Sequence, residues 1–344
     1  MKKEELDILY SLQRGGKSFW ELLSEHTHVL GEFISSLNAL YDGGYITKRG
    51  GKILLTKRGR SVLNPRRVMF TQEICRRCGG KTICYGGRFK KVLSEFKRIT
   101  KHRPRITPEF YQGSVTEEDT VARVALMNRY NDVVDKKILL IGDDDLVSIA
   151  LALTHLPSRI VVFDIDKKLC EFIDTVSRKY NLGIETVEYD VSLPLPKSFL
   201  KKFDVFSTEP LETDSGFAAF VSRGASCLKR NGAAYIGIST LEVSEKRWRD
   251  FERLILGMNF AITDVIRDFS VYLDSRDRSA AEEYERFVKK LRFRVEKNPG
   301  IYWYKSTLVR AVAIGMPKPC LPWNKRVKLD LIDRESYTHP LFNR

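Results

Sequence analysis

The sequence predicts an α/β fold built on a doubly wound, mainly parallel sheet, and three observations carry that prediction. Five short apolar runs read as strands: KILLIG at 137–142, RIVVFDID at 159–166, IETVEYDV at 184–191, KFDVFSTEP at 202–210 and GAAYIGIST at 232–240. Segments with helical spacing alternate with them: DLVSIALALTHL, KKLCEFIDTVSRKY and, before the fifth run, GFAAFVSRGASCLKR. Only a short proline-containing link joins the third run to the fourth. Such alternation is the mark of parallel strands joined by crossover helices. Four of the five runs also end in acidic residues, which a parallel sheet collects at one edge.

The elements ahead of this region read differently. KSFWELLSEH and LGEFISSLNALYDGGY carry apolar residues at helical spacing, the second closing on Gly43-Gly44. Two short strands follow around Gly50-Gly51, with helix entry after Thr56. Helices followed by a hairpin within 4–62 predict a winged-helix-like domain at 1–68. Its basic residues Lys48, Arg49, Lys52, Lys57 and Arg58 suit nucleic-acid contact. The alternative is a dimerisation or lid module with a solvated basic face. A basic, cysteine-containing linker or knuckle at 69–105 comes next. Its EICRRCGGKTIC segment supplies Cys75, Cys78 and Cys84. These are candidate ligands for a structural zinc or iron ion, with His102 or water as a fourth, and ordinary turn thiols are the other reading. The sheet domain occupies 106–315, and a tail at 316–344 is a candidate lid.

Composition bounds the class. The chain has 344 residues, enough for more than one domain. No apolar run is long enough for a membrane helix and the N-terminus lacks a signal-peptide core, so a soluble cytoplasmic protein without a membrane partner is expected. Six scattered cysteines do not make a secreted disulfide framework. Residues 1–105 hold 23 Lys/Arg against 9 Asp/Glu, whereas the remainder is nearly balanced. Abundant charge with only three glutamines fits a thermophile.

The loop after the first strand, Gly142-Asp143-Asp144-Asp145, bears on the ligand. Loops of this kind usually continue with glycines, so that a phosphate can approach the backbone. Three carboxylates oppose that, since each like-charge pair costs roughly 4 kcal/mol at ~4 Å and an effective dielectric near 20. Asp164, ending the second strand, sits where a carboxylate accepts ribose hydroxyls. Asp166 reads as a helix cap. Asp190, after the third, is placed to meet an adenine amino group. Glu209 and Glu212 follow the fourth. Together they describe an adenosine pocket with an acidic mouth, and hence a cationic adenosine compound: S-adenosylmethionine or its decarboxylated form.

On these residues the chain resembles the aminopropyltransferases, and most closely the branched-chain polyamine synthases of thermophiles, whose hallmark is a Gly-Asp-Asp-Asp loop. Spermidine-synthase-like members carry GGGDG there, so Asp145 falls on that motif's aspartate. The resemblance puts Asp164 on the ribose acid, Asp190-Val191 on the adenine pair, and Glu209 near the catalytic aspartate. Gln112 in YQGSVTEEDT is similar to a glutamine preceding their nucleotide domain. The resemblance implies aminopropyl transfer from decarboxylated S-adenosylmethionine to the internal amine of spermidine. A second transfer, to N4-aminopropylspermidine, would give N4-bis(aminopropyl)spermidine and methylthioadenosine. A homodimer is the expected assembly.

The chemistry needs a carboxylate to take a proton from the attacking amine. Asp144 is the first candidate, then Asp143 or Glu209. Gln112, Gly142, Asp145, Asp164, Asp190 and Val191 are expected to bind the donor. Asp143, Glu212, Asp268 and Tyr337 are expected to face the polyamine. The rival class is an S-adenosylmethionine-dependent RNA or DNA methyltransferase, which would explain the basic first third. Against it, TEPLET replaces the Asp/Asn-Pro-Pro-aromatic motif that amino-methylating enzymes favour after the fourth strand. A third reading, a ligand-sensing DNA-binding regulator, sits poorly with an intact set of pocket acids.

Overall fold

The computed structural model describes residues 1–67, 75, 78–81, 83–105, 107, 110–273 and 285–338. The last six residues of the expected lid, and residues 69–74, 76–77 and 82 of the cysteine-containing linker, lie outside the described residues.

The runs in the middle of the sheet become strands because both of their faces are covered, as parallel sheets require, whereas the third run lies at the sheet edge with Glu185 and Glu188 exposed. The first run is β3 (Lys137–Ile141), where the side chains of Ile138, Leu139, Leu140 and Ile141 are all buried. Ile138 and Leu140 point into one core cluster, Leu139 and Ile141 into the other, with the period of two that a strand imposes. Runs two to five form β4 (Arg159–Asp164), β5 (Ile184–Glu188), β6 (Phe203–Thr208) and β7 (Leu228–Ser239). All four pairings β5–β4, β4–β3, β3–β6 and β6–β7 are parallel.

Two further strands, β8 (Phe260–Val271) and β9 (Lys305–Ala313), extend the sheet antiparallel in the order β5-β4-β3-β6-β7-β9-β8. The chain moves from β3 outward to β5, then returns to β6 on the other side of β3. Next to β3 is therefore the switch point at which such sheets hold ligands.

Helices cover both faces. One layer contains α5 (Arg88–Thr100), α6 (Glu117–Arg129), α7 (Val147–Ala152) and α8 (Lys167–Tyr180). The other contains α9 (Asp214–Cys227) and α10 (Glu245–Gly257), where Phe217 stacks on Phe251 at 3.7 Å between ring centroids.

The N-terminal unit has helices α1 (Lys3–Ser11), α2 (Phe19–Glu25) and α3 (Leu30–Asp42), then the hairpin β1 (Ile46–Arg49) and β2 (Lys52–Leu55), and α4 (Lys57–Ser61). Thr56 caps α4 by accepting from the Gly59 amide, so helix entry falls where the sequence placed it. The core of this unit is shared with the rest of the chain. Phe19 and Trp20 pack with Phe287 and Trp303, and the Leu30 amide donates to the Leu241 carbonyl at 2.7 Å. Lys48, one of the basic hairpin residues, pairs with Glu296 at 2.5 Å.

Candidate active site

The site forms where the strand ends meet, and the Asp triplet divides there. Gly142 (φ 72°) turns the chain in a left-handed conformation that suits glycine. Asp143 then points inward. Its amide donates to Asp164 at 2.9 Å and its carboxyl accepts the Ser148 amide at 3.3 Å, beneath the start of α7. Burial raises this acid to about 8. Asp145 also points inward, accepting from the Val115 amide at 3.2 Å and lying 3.7 Å from the Arg123 guanidinium. Burial raises it well above the ordinary range, and Glu209 adds to the effect. Among the three, only Asp144 lines the large cavity at this edge of the sheet. Its carboxylate accepts the Gly113 amide at 2.8 Å, and Arg103 donates to its carbonyl. Burial first, then the charges of Asp164 and Glu209, raise Asp144 to about 7.

The cavity has a volume of about 920 Å³, enough for two small molecules side by side. Asp164 lines it and accepts the amides of Asp143 and Asp166 at 2.9 and 2.8 Å, which leaves lone pairs for a ligand. Asp166 caps α8 as expected, accepting the Lys168 amide at 2.9 Å, and also holds Gln112 at 3.0 Å. Asp190 is fixed by the amide and hydroxyl of Ser192, both at 2.8 Å, with Val191 beside it on the wall. Tyr189, Phe163 and Phe220 supply apolar surface around this end.

Across the cavity, Glu209 is held by the Arg123 guanidinium on one oxygen and by the Tyr272 hydroxyl on the other. Gly237 lies against it: a Cβ there would fall 2.3 Å from the Glu209 carboxyl carbon. Glu212 accepts the amide and hydroxyl of Ser239 and is raised by burial to about 8. Glu242 is a sixth lining acid, one that the sequence did not single out. It accepts the Thr338 amide and hydroxyl at 2.7 and 2.6 Å, and burial raises it too. Glu242 follows the fifth strand, so the rule of acids at strand ends would have found it had it been carried one strand further. Tyr272, Trp303 and Tyr304 line the same end.

Two expected polyamine contacts are elsewhere. Asp268 is exposed on the edge strand β8, 3.6 Å from Lys305, because a local irregularity (φ 53°) turns it outward. Tyr337 packs on α3 in the space a side chain at Gly31 would take, with Lys290 over its ring at 4.4 Å. Its neighbours Ser336 and Thr338 line the cavity instead. The sulfurs of Cys75, Cys78 and Cys84 lie within 4.8 Å of one another, and His102 does not join them. Among the described residues no helix is long and apolar enough to cross a membrane.

Six carboxyl groups on one cavity, with aromatic rings between them, make a site for a cation. Known proteins agree. The family profile described as the branched-chain polyamine synthase A C-terminal domain matches residues 91–338. An N(4)-bis(aminopropyl)spermidine synthase of Thermococcus kodakarensis is 36% identical over 314 residues, covering 88% of this chain and 86% of that protein. One from Methanocaldococcus jannaschii is 36% identical over 296 residues, covering 85% and 82%. The solved branched-chain polyamine synthase of Thermus thermophilus, in complex with N4-aminopropylspermidine and 5′-methylthioadenosine, superposes with a TM-score of 0.84. It is 29% identical, with 97% of this chain and 93% of that one covered. With a matched profile over most of its length and relatives at this identity, the chain belongs to the branched-chain polyamine synthases, enzymes of the aminopropyltransferase type.

Proposed function

We propose that the protein transfers aminopropyl groups from decarboxylated S-adenosylmethionine to the internal amine of spermidine. A second transfer to the same nitrogen yields N4-bis(aminopropyl)spermidine. The observation that carries this reading is the single cavity with Asp164 and Asp190 at one end and Asp144, Glu209, Glu212 and Glu242 toward the other. In this assignment Asp164 accepts the ribose hydroxyls and Asp190 the adenine amino group, with Val191 against the base. Gln112 and Asp166 brace the Asp164 loop from behind. Asp143 and Asp145, turned inward, shape the loop that aims Asp144.

The reaction is a displacement at carbon. The lone pair of the internal amine forms a C–N bond to the aminopropyl carbon while the C–S bond breaks, and the sulfonium leaves as neutral methylthioadenosine. An amine that is an ammonium in water must first give up a proton, and Asp144 takes it. An acid near pH 7 is matched to that step, accepting a proton without being permanently ionised. In the second transfer the proton is lost before attack, and the product nitrogen keeps a fixed positive charge. Glu209, paired with Arg123, stabilises cationic nitrogen, while Glu212 and Glu242 hold the terminal ammonium groups. Orientation by several acids supplies much of the rate.

We assign the chemistry to 106–315 and closure of the cavity to 316–344, a role supported by Ser336 and Thr338 on the cavity wall. The N-terminal 1–68 supports the Trp303 side of the site through its shared core. The test incubates purified protein with spermidine and either S-adenosylmethionine or its decarboxylated form, followed by mass spectrometry. One and then two aminopropyl increments, with the decarboxylated donor only, are expected. Methyl transfer with the carboxylated donor and no aminopropyl product would overturn the proposal.

A further inference from the structure

Outside the cavity, the described residues contain one convergence of soft ligands. The sulfurs of Cys75, Cys78 and Cys84 lie within 4.8 Å of one another and none forms a disulfide. The turn that brings the first two together is tightly built. The Cys75 carbonyl accepts the amides of Cys78 at 3.3 Å and Gly79 at 2.8 Å, and the Cys78 carbonyl accepts that of Lys81 at 3.0 Å. Gly79 (φ 56°) and Gly80 (φ 85°) are both left-handed, so the C-x2-C-G-G spacing is a demand of the turn. Thiolates at ~2.3 Å from a tetrahedral ion stand about 3.8 Å apart, which a small rotamer change reaches from here.

The loop is also anchored. Lys81 pairs at 3.0 Å with the buried Asp119 in the first turn of α6, and the Tyr85 hydroxyl donates to the Glu118 carbonyl at 3.1 Å. Asp119 in turn accepts the Val271 amide at 2.9 Å, and α6 carries Arg123 into the active site.

We propose that Cys75, Cys78 and Cys84 bind one thiophilic divalent ion of the zinc class, with water or an added ligand in the fourth position. The ion cross-links the loop and holds it on the first turn of α6. Three convergent thiols favour this over a disulfide, which would leave one of them over. The inference does not depend on the aminopropyl reading, because its readout is metal content.

The full-length protein, purified without chelator under reducing conditions and refilled with zinc, is analysed for bound metal and for alkylation of each cysteine. About one zinc per chain is expected, with the three cysteines protected until a chelator is added. Cys84→Ser should lower zinc occupancy at least tenfold at limiting free zinc, and the control Cys320→Ser should not. Should a serine variant fail to fold, cobalt added to the wild type decides: sulfur-to-cobalt charge transfer and intense tetrahedral bands are expected. Zinc content no higher than in Cys84→Ser, cobalt spectra without sulfur ligation, or a Cys75–Cys78 disulfide in the freshly isolated protein would each overturn the proposal.

Discussion

Replacing Arg123 with methionine should uncover how much of the fold rests on one buried cation. The guanidinium is 2% exposed and serves acids from two strand ends, Glu209 after β6 and Asp145 after β3, as well as the Ser270 hydroxyl at 3.0 Å. Methionine fills similar space and removes the charge. Breaking one side of a buried pair costs about 3–5 kcal/mol, because the abandoned carboxylate stays in a poor solvent for it. With two carboxylates abandoned, the upper part of that range is expected. Glu209→Gln in the same background removes one of them, so the double variant should recover about 1–3 kcal/mol relative to additivity. Urea denaturation of the wild type, both single variants and the double variant at pH 7 gives the coupling directly, provided the slopes agree. Losses that simply add would refute the argument that Arg123 and Glu209 form a single electrostatic unit.

Asp143→Asn should keep the transfer rate within about threefold of wild type, since Asp143 accepts the Ser148 amide, which Asn can also do, and, at about 8, is already mostly protonated at neutral pH. Steady-state rates on spermidine check it. Gly237→Ala places a methyl group 2.3 Å from the Glu209 carboxyl carbon, so Glu209 must leave Arg123 or Tyr272. Transfer should fall at least ~10-fold, with the larger share in kcat. Polyamine binding should release protons at pH 7. Asp144 near 7 and Glu212 near 8 are partly or mostly protonated before a cation arrives, and a neighbouring ammonium lowers both. Calorimetric titration of spermidine in two buffers of different ionisation enthalpy measures this; proton uptake would contradict the assignment.

The alternating runs made the parallel half of the sheet legible, because strands buried on both faces must be apolar almost throughout. β8 escaped notice for the opposite reason: as an edge strand it carries Arg267 and Asp268 among its apolar residues. The acids at the ends of β4, β5 and β6 were readable from position alone. Which member of the triplet faces the cavity was not. Neighbouring loop residues point different ways, and contacts from the distant residues Gly113, Val115 and Arg123 decide which. Arg123 itself gave no signal, since a buried arginine on a helix looks in sequence like a surface one. Tyr337 and Thr338 show the same limit one residue apart: the tail does reach the cavity, but through the smaller side chain.

The central claim is that Asp144 takes the proton from the attacking amine. Single-turnover aminopropyl transfer to spermidine, followed from pH 5 to 9 with wild type and Asp144→Asn, tests it directly. In the wild type the rate at sub-saturating spermidine, which reports the free enzyme, should fall as pH drops below about 7, because burial raises Asp144 into that range and its protonated form cannot accept. In Asp144→Asn the rate should be at least ~100-fold lower, without that rise. A variant that keeps the wild-type rate, or the same rise through neutral pH, would show that another group accepts the proton.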